Sequence, residues 1–554
     1  MYSKFFRHLL LTLIFASLYL PTNLSFAQRN GPGPGPQGTA ATALTTFETD
    51  DFSGSGICAL CHSGLTDEVG NDVSNDAHWR STMMANASKD PLWQAKISSE
   101  VDRNQHLQSV IEEKCSRCHM GMARYQAIAD GMAVAVLGTG FLNPAHDLHE
   151  TAMDGVSCTL CHQVQPDSLG TEQSFTGNYM IDTSTSPPNR LIFGPYEQPV
   201  RNPMRNNSGF SPTPGVQIKD SALCGSCHTL YTPTVDTGGN VIGEFPEQTT
   251  YLEWEHSGFT RSCQDCHIPD AIGSVVISNR PRWLAARYPF GQHHFVGGNS
   301  FMVRLLKDNA TELGVTAEAS HFEATIAQTR VQLQQHTAAL TAIASTDDQN
   351  LLTVKVVVQN LAGHKVPSGL PSRRTWLHLV VKDANGVPIF ESGKPLADGR
   401  IEGNDADMDT SAYEPHYNLI NARDQVQIYE PIMVDSEGQV TYTLLRADSY
   451  AKDNRLLPAG FNKDSAIDDI AVWGNAETDP NFVGGKDEVT YQVDLAGEAG
   501  PFEIAAELLF QTLSYPFISD LLQDETALIT RFMGLYSQAD KMPVLLAIDQ
   551  TSAP

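Results

Sequence analysis

Cys58-Ala59-Leu60-Cys61-His62 returns four more times along the chain, as Cys115-Ser116-Arg117-Cys118-His119, Cys158-Thr159-Leu160-Cys161-His162, Cys224-Gly225-Ser226-Cys227-His228 and Cys263-Gln264-Asp265-Cys266-His267. Five copies use all ten cysteines. Two thiols at this spacing can add across the two vinyl groups of one haem, and the histidine directly after the second thiol meets the iron. A thioredoxin-like pair occurs once, within a strand-helix-strand pattern. A zinc site pairs two such motifs and asks for no histidine after each. Neither alternative accounts for five copies with five histidines and no cysteine left over. The motifs therefore predict five covalently bound c-type haems, held by Cys58, Cys61, Cys115, Cys118, Cys158, Cys161, Cys224, Cys227, Cys263 and Cys266. Their proximal ligands are His62, His119, His162, His228 and His267.

The surroundings agree with an exported protein. Residues 1–27 carry Lys4 and Arg7, an apolar run from Leu9 to Leu20, and small residues at Ser25 and Ala27, so they read as a signal peptide cleaved after Ala27. The apolar run is shorter than the roughly 20 residues that span a bilayer, and no later stretch reaches that length. No membrane anchor is expected once the signal is removed. The 554 residues hold 36 Lys plus Arg against 64 Asp plus Glu, a formal charge of −28. A chain this acidic repels phosphate backbones, which excludes nucleic acid as a partner and favours redox proteins with basic docking surfaces. Haem attachment of this kind is made outside the cytoplasm, so the location is periplasmic or extracellular.

Outward from the motifs the texture divides. Residues 28–46, rich in Gly, Pro, Thr and Ala, read as an extended leader. Residues 47–345 hold every cysteine, many turn formers and scattered helical stretches, the longest from Glu318 to Ala344. Large apolar macrocycles can supply core there in place of side chains. After Asn350, Leu352, Val354, Val356 and Val358 alternate with their neighbours. Leu377, Leu379 and Val381 do the same, and Asp383-Ala384-Asn385-Gly386 is a turn signal. Further strands are expected over Gln425–Met433, Gln439–Leu445, Glu488–Leu495 and Phe502–Gln511, giving a β-sandwich-like domain of about seven strands over 346–515. Thr526–Ala539 reads as a closing helix within a C-terminal helical segment and tail, 516–554. The fold class is multidomain α+β.

An iron that only passes electrons needs a second axial ligand. Of 18 histidines, five are proximal and His8 leaves with the signal, so 12 remain for five distal positions. His78, His146, His149, His256, His293, His294 and His364 lie between or beyond the motifs in loop-like contexts, and one from each adjacent pair supplies five ligands. His106, His321, His336, His378 and His416 sit in helical or strand patterns and are read as non-ligands. His364, in Gly363-His364-Lys365-Val366-Pro367-Ser368-Gly369, lies outside the cysteine region, so ligation by it clamps the β-domain onto a haem. Arg373 and Arg374 just beyond are then placed to meet haem propionates.

The motif array, Asp154-Gly155-Val156-Ser157 before the third motif, Phe245-Pro246-Glu247-Gln248-Thr249-Thr250-Tyr251-Leu252-Glu253-Trp254 before the fifth, and the Gly363–Gly369 loop together resemble exported multihaem cytochromes c related to the cytochrome c-554 family. The resemblance covers most of the exported chain. It implies stacked haem pairs, mostly bis-histidine iron and electron relay in respiration. The family's best-known member has four haems and no long β-domain, whereas this chain has five motifs and such a domain. Electron transfer is the leading expectation. Its alternatives are a multihaem oxidoreductase acting on a small nitrogen or sulfur compound at one open haem, and a homo-oligomeric subunit of an extracellular cytochrome filament. All five motifs end in histidine, whereas several such enzymes mark their open haem with lysine, so an electron carrier is preferred to an enzyme.

Overall fold

The computed structural model describes residues 43–348 and 350–554. The signal-peptide reading and the leader up to residue 42 fall outside the described residues. Packing begins at Leu44, three residues before the expected start. Leu44 is buried with Trp79 and Ala85, and the Thr45 hydroxyl donates to Asp154 at 3.0 Å.

The fold is α+β. From Leu44 to Thr337 it consists mainly of short helices separated by turns: α1 (Ser55–His62), α2 (Pro91–Arg103), α3 (Gln108–His119), α4 (Cys158–Cys161), α5 (Ser221–His228), α6 (Thr250–Glu255), α7 (Cys263–His267) and α8 (Ala319–His336) among them. A β-hairpin, Leu230–Val235 with Val241–Gln248, lies between α5 and α6. Apolar side chains there form several separate clusters, a larger one around α2 and α3 that includes Trp93, Ile97, Ile111 and Phe141, and smaller ones elsewhere.

The C-terminal half is a two-sheet sandwich. Its strands are β1 (Ala338–Thr346), β2 (Leu351–Asn360), β3 (Arg374–Lys382), β4 (Pro388–Ser392), β5 (Leu419–Ile420), β6 (Ile428–Tyr429), β7 (Lys486–Asp494), β8 (Phe502–Gln511) and β9 (Val544–Ala553). One sheet runs β1-β2-β7-β5 and the other β6-β3-β8-β9, with β4 on the flank of β3. Side chains alternate across a strand. Leu352, Val354, Val356 and Val358 therefore all face inward, into one core with Leu377, Leu379, Val381, Ile504, Ala506 and Leu508 from the opposing sheet. The β3–β4 turn forms where Asp383-Ala384-Asn385-Gly386 stands. The Asp383 carboxylate accepts from the amides of Asn385 and Val387, and Gly386 takes φ +77°, which costs glycine little.

Four expectations are corrected. The helix expected to Ala344 stops at His336, and the following Ala-rich stretch is β1; pairing along β2 overrides its weak helical preference. The 345/346 boundary thus falls inside β1. Gln425–Met433 is broken into β6 and a separate short strand, Pro431–Val434, because the Glu430 amide turns to the Asn454 side chain. Gln439–Leu445 is not a strand: the amides of Leu444 and Leu445 donate to the buried Glu100 carboxylate, and Leu444–Arg446 coils into a 3₁₀ turn. Finally, the helix α9 (Ala527–Gln538), capped by Thr526, is followed by β9, which pairs along β8. The chain's last segment is sheet, not tail.

The two halves interlock. Ile529 and Phe532 of α9 share a core with Leu92 and Ala95 of α2, and Arg103 at the end of α2 pairs with Asp520 and Asp524. Several charges are buried where the halves meet. Glu247, at the end of the hairpin, is one whose balance is unfavourable. Burial pushes its carboxyl up to about 7, against a weak bond from Gln248; Glu100 adds to the rise, and Lys96 and Lys114 oppose it.

Two predictions follow from this packing. Leu508→Ala removes a side chain from the centre of the sandwich core and should cost about 2–5 kcal/mol, read as a lower denaturant midpoint with unchanged slope; a loss below 1 kcal/mol would mean the two sheets do not share this core. For Glu247, the native pKa lies above the usual carboxylate value of about 4.3. The native state then keeps a proton that the unfolded chain has released, so stability falls as pH rises from about 4.3 to 7 and levels off above. Against Glu247→Gln, the wild type should lose about 4 kcal/mol from below that window to above it. Parallel stability profiles for the two proteins would contradict the assignment.

Candidate functional site

Each motif lies at a helix or its end: α1, α3, α5 and α7 terminate on their motif histidines, and α4 is followed directly by His162. On a helix, positions i, i+3 and i+4 share one face. The two thiols and the histidine of every motif are therefore presented together. None of the ten cysteines is paired in a disulfide. The helices meet thiol to thiol, with Cys58 against Cys158, Cys118 against Cys227, and Cys224 against Cys263.

The phrase Asp154-Gly155-Val156-Ser157 is part of this packing. Asp154 accepts from the Ser55 amide at 2.9 Å and its hydroxyl at 2.7 Å, fixing the start of α1. Gly155, at φ +65°, lets the Ala85 carbonyl approach within 2.5 Å of where a Cβ would stand. The 84–87 segment is thereby brought against the third motif, and its Ala87 carbonyl accepts from His119 Nδ1 at 3.0 Å.

That last bond has counterparts. His62 Nδ1 donates to Ile277 O (2.8 Å), His162 Nδ1 to Phe193 O (2.6 Å) and His267 Nδ1 to Val296 O. Among the distal candidates, His149 bonds Phe141 O, His256 bonds Leu252 O, His293 bonds Gly291 O and His364 bonds Lys365 O, all through Nδ1. A proton held on Nδ1 by a carbonyl leaves the Nε2 lone pair free for a metal. Burial keeps several of these rings neutral: His119 and His228 are pushed down to about 4, His293 to about 3.

Two pairs of rings face each other. His162 and His293 have centres 6.4 Å apart, and His267 and His364 have centres 6.3 Å apart at an interplanar angle of 13°. Two imidazoles on opposite sides of one metal, each bonded at about 2 Å through nitrogen, have centres about 6 Å apart. The residues thus fit a haem iron between each pair. The geometry also separates the remaining candidates. His146 Nδ1 accepts from the Leu148 amide, so its proton sits on Nε2, the opposite tautomer to His149. His78 and His294 stack on each other at 3.7 Å, too close to flank one metal. His78 Nε2 is spent on Asp72 O, and both rings bury an Nδ1 with no partner.

His364 is held more firmly than its loop sequence suggests. Glu253 of α6 accepts from the Lys365 amide at 3.1 Å and the Ser368 hydroxyl at 2.8 Å, and pairs with Arg455 at 2.8 Å. Arg455 and Lys365 both pair with Asp453 at 2.7 Å. These four charges balance, and each has a side chain no more than 5% exposed. Gly363 lies flat on Phe259 and Trp254, within 2.6 Å and 3.1 Å of where its Cβ would stand.

Arg374 does not face the motif histidines. It begins β3 pointing into the protein, where it pairs with buried Asp407 at 2.8 Å. Successive strand residues point opposite ways, so only Arg373 turns toward His228. Among the described residues Arg373 forms no ion pair; its one hydrogen bond is to Ser368 O, and burial lowers its pKa to about 10. Trp93, which sequence reasoning did not single out, stacks on His119 at 4.5 Å and 8°. Nothing but spacing near Asp90-Pro91 could have signalled it.

Four of the other histidines, His106, His321, His378 and His416, have partners of their own. His378 sits between Glu507 and Glu391. His106 bonds Gly239 O, and His321 caps the Glu318 amide. His416 lies in a buried cluster with Asp479 and Asp487, but Gln427 and Asn454 donate to its Nδ1. Their own oxygens accept from Tyr417 and Glu430 amides, which orients both amides and leaves the proton of His416 on Nε2, aimed at Asp479. This is a hydrogen-bonded knot with no free imidazole lone pair for a metal.

Among the described residues no helix is long and apolar enough to cross a membrane. No protein-family model and no curated protein matches the chain. Among solved structures it is similar to a penta-heme cytochrome c552 from Thermochromatium tepidum, at 17% identity and a TM-score of 0.48, over 90% of this chain and 98% of that chain. At that level the likeness lends no residue role to this chain.

Proposed function

We propose that this chain is an exported five-haem cytochrome c that relays electrons between redox partners outside the cytoplasm. The observation that carries the reading is the pair of facing imidazoles, His162 with His293 and His267 with His364, each 6.3–6.4 Å between ring centres and each with Nδ1 tied to a backbone carbonyl. A haem held between each pair would supply one-electron redox chemistry. The protein's part is to hold both imidazoles in place as charge changes. The carbonyl bonds fix the ring orientations and raise ligand basicity, and the Glu253–Arg455–Asp453–Lys365 group pins the His364 loop. Arg373 supplies a buried cation for a haem carboxylate near His228. The thiol-to-thiol meetings of the attachment helices group the first motif with the third, and the second and fifth with the fourth, which favours electron exchange within each group. His149 and His256 present the same free Nε2 as the paired distal ligands and are the preferred further ligands. The acidic surface favours partners with basic docking faces.

Intact mass of the exported protein should show five haems; four or fewer, or free thiols, would refute the count. His364→Ala should keep all five attached, since no attachment residue changes. It should also convert one low-spin iron to high-spin or water-bound and raise that iron's potential. His378→Ala, whose ring lies between two glutamates, should leave the spectrum as it is. An unchanged low-spin count in the His364 variant would show that the β-domain takes no part in the electron path.

A further inference from the structure

The chain's net charge conceals a reversal. Segments 183–219 and 271–307 together carry nine basic residues and one acidic residue, Glu197. The two segments are tied together: the Tyr196 hydroxyl donates to Pro289 O at 2.7 Å, Arg287 lies over the Tyr196 ring, and it also donates to Gln198 O. Three of the cations are spent, Arg190 on buried Asp51, Arg304 on Asp540 and Lys307 on Glu323. The side chains of Arg201, Arg280 and Arg282 form no hydrogen bond or ion pair among the described residues. Between them stand two large exposed aromatics, Trp283 at 68% and Tyr288 at 67%.

A groove of about 530 Å³ runs between Pro199–Asn206 and Trp283, with Arg201, Asn202 and Asn206 as its polar lining and Val200 and Trp283 as its apolar lining. That size and mixture suit a small molecule. Each segment that supplies a wall also meets a motif histidine a few residues earlier in the chain. His162 bonds Phe193 O, six residues before Pro199. In the other segment, His62 bonds Ile277 O, and the Asn279 amide, four residues before Trp283, donates to Cys61 O at 2.8 Å.

We propose that this groove is a binding site for a planar aromatic anion of the quinone class, stacked on Trp283 with its anionic substituent on Arg201, and that electrons leave the chain here. The electron-transfer half of the proposal rests on the haem reading above; the binding half does not. An aromatic face and a free guanidinium together favour a flat anion over a neutral ring or a cation. The chemistry balances: the quinone gains two electrons and two protons to become a hydroquinone. The electrons arrive singly as two iron(II) centres become iron(III), and the protons come from water.

Titrating the oxidised, haem-loaded protein calorimetrically with anthraquinone-2,6-disulfonate tests contact without electron transfer. Trp283→Ala and Arg201→Gln should each weaken binding tenfold or more, while Arg531→Gln, an exposed arginine paired with Glu312 elsewhere, should not change it. Uncharged 2-hydroxymethylanthraquinone should bind at least tenfold more weakly than the disulfonate. Equal affinity for wild type and both groove variants, or for both probes, overturns the site. Weakening by Arg201→Gln alone also overturns it, since charge without stacking describes a docking face for an acidic macromolecule. Stopped-flow mixing of the reduced protein with the disulfonate, and separately with hexaammineruthenium(III), distinguishes the two halves. Binding without reduction of either acceptor defeats the relay and leaves the site; reduction of the ruthenium complex with no quinone binding defeats the site and leaves the relay.

Discussion

Four buried charges hold the two halves of this protein in register. Glu253 comes from the cysteine-bearing half, and Lys365, Asp453 and Arg455 come from the β-rich half. Bringing two cations and two anions out of water is expensive, and the cost is offset only when each partner is present and well placed. Removing one leaves an uncompensated charge in the interior. That constraint sets where the Gly363–Gly369 loop lies, because the Lys365 amide and the Ser368 hydroxyl bond the same Glu253 carboxylate that Arg455 pairs with. His364 is one residue from Lys365. Its position opposite His267 is therefore a consequence of ion pairing that contains no metal ligand at all.

The same economy recurs around the other rings. Backbone carbonyls, which every loop must satisfy somewhere, accept the Nδ1 protons of four motif histidines and four distal candidates. A region of short helices and turns has many carbonyls outside regular ladders, so irregular backbone is useful here: it supplies the bonds that orient imidazoles. The side chains of this half fall into several separate clusters. The sandwich core, by contrast, is one large cluster that also takes in Phe175, Tyr251 and Leu252 from the cysteine-bearing half. Charge is distributed with similar asymmetry. An acidic chain carries two segments, 183–219 and 271–307, in which basic residues outnumber acidic ones and Trp283 and Tyr288 are exposed.

Much was legible in the chain itself. Five Cys-x-x-Cys-His units state their chemistry by spacing, because i, i+3 and i+4 on a helix share a face whatever lies around them. The alternation from Leu352 to Val358 and from Leu377 to Val381 specified strands with one buried face, since the period of two leaves no other choice. The opposite tautomers of His146 and His149, the rings that face His162 and His267, and the separate partners of Arg373 and Arg374 come from tertiary structure. Each depends on a carbonyl, a carboxylate or a strand direction contributed from far along the chain. The strand errors have the same origin. Gln439–Leu445 has strand-like residues, yet its amides go to Glu100, more than 300 residues away in sequence. Ala338–Thr346 could be helical by composition, yet the β2 edge claims it. Local pattern determines what a segment is able to form. Which hydrogen-bond partner and which buried charge it meets is settled only when distant segments compete for the same interior.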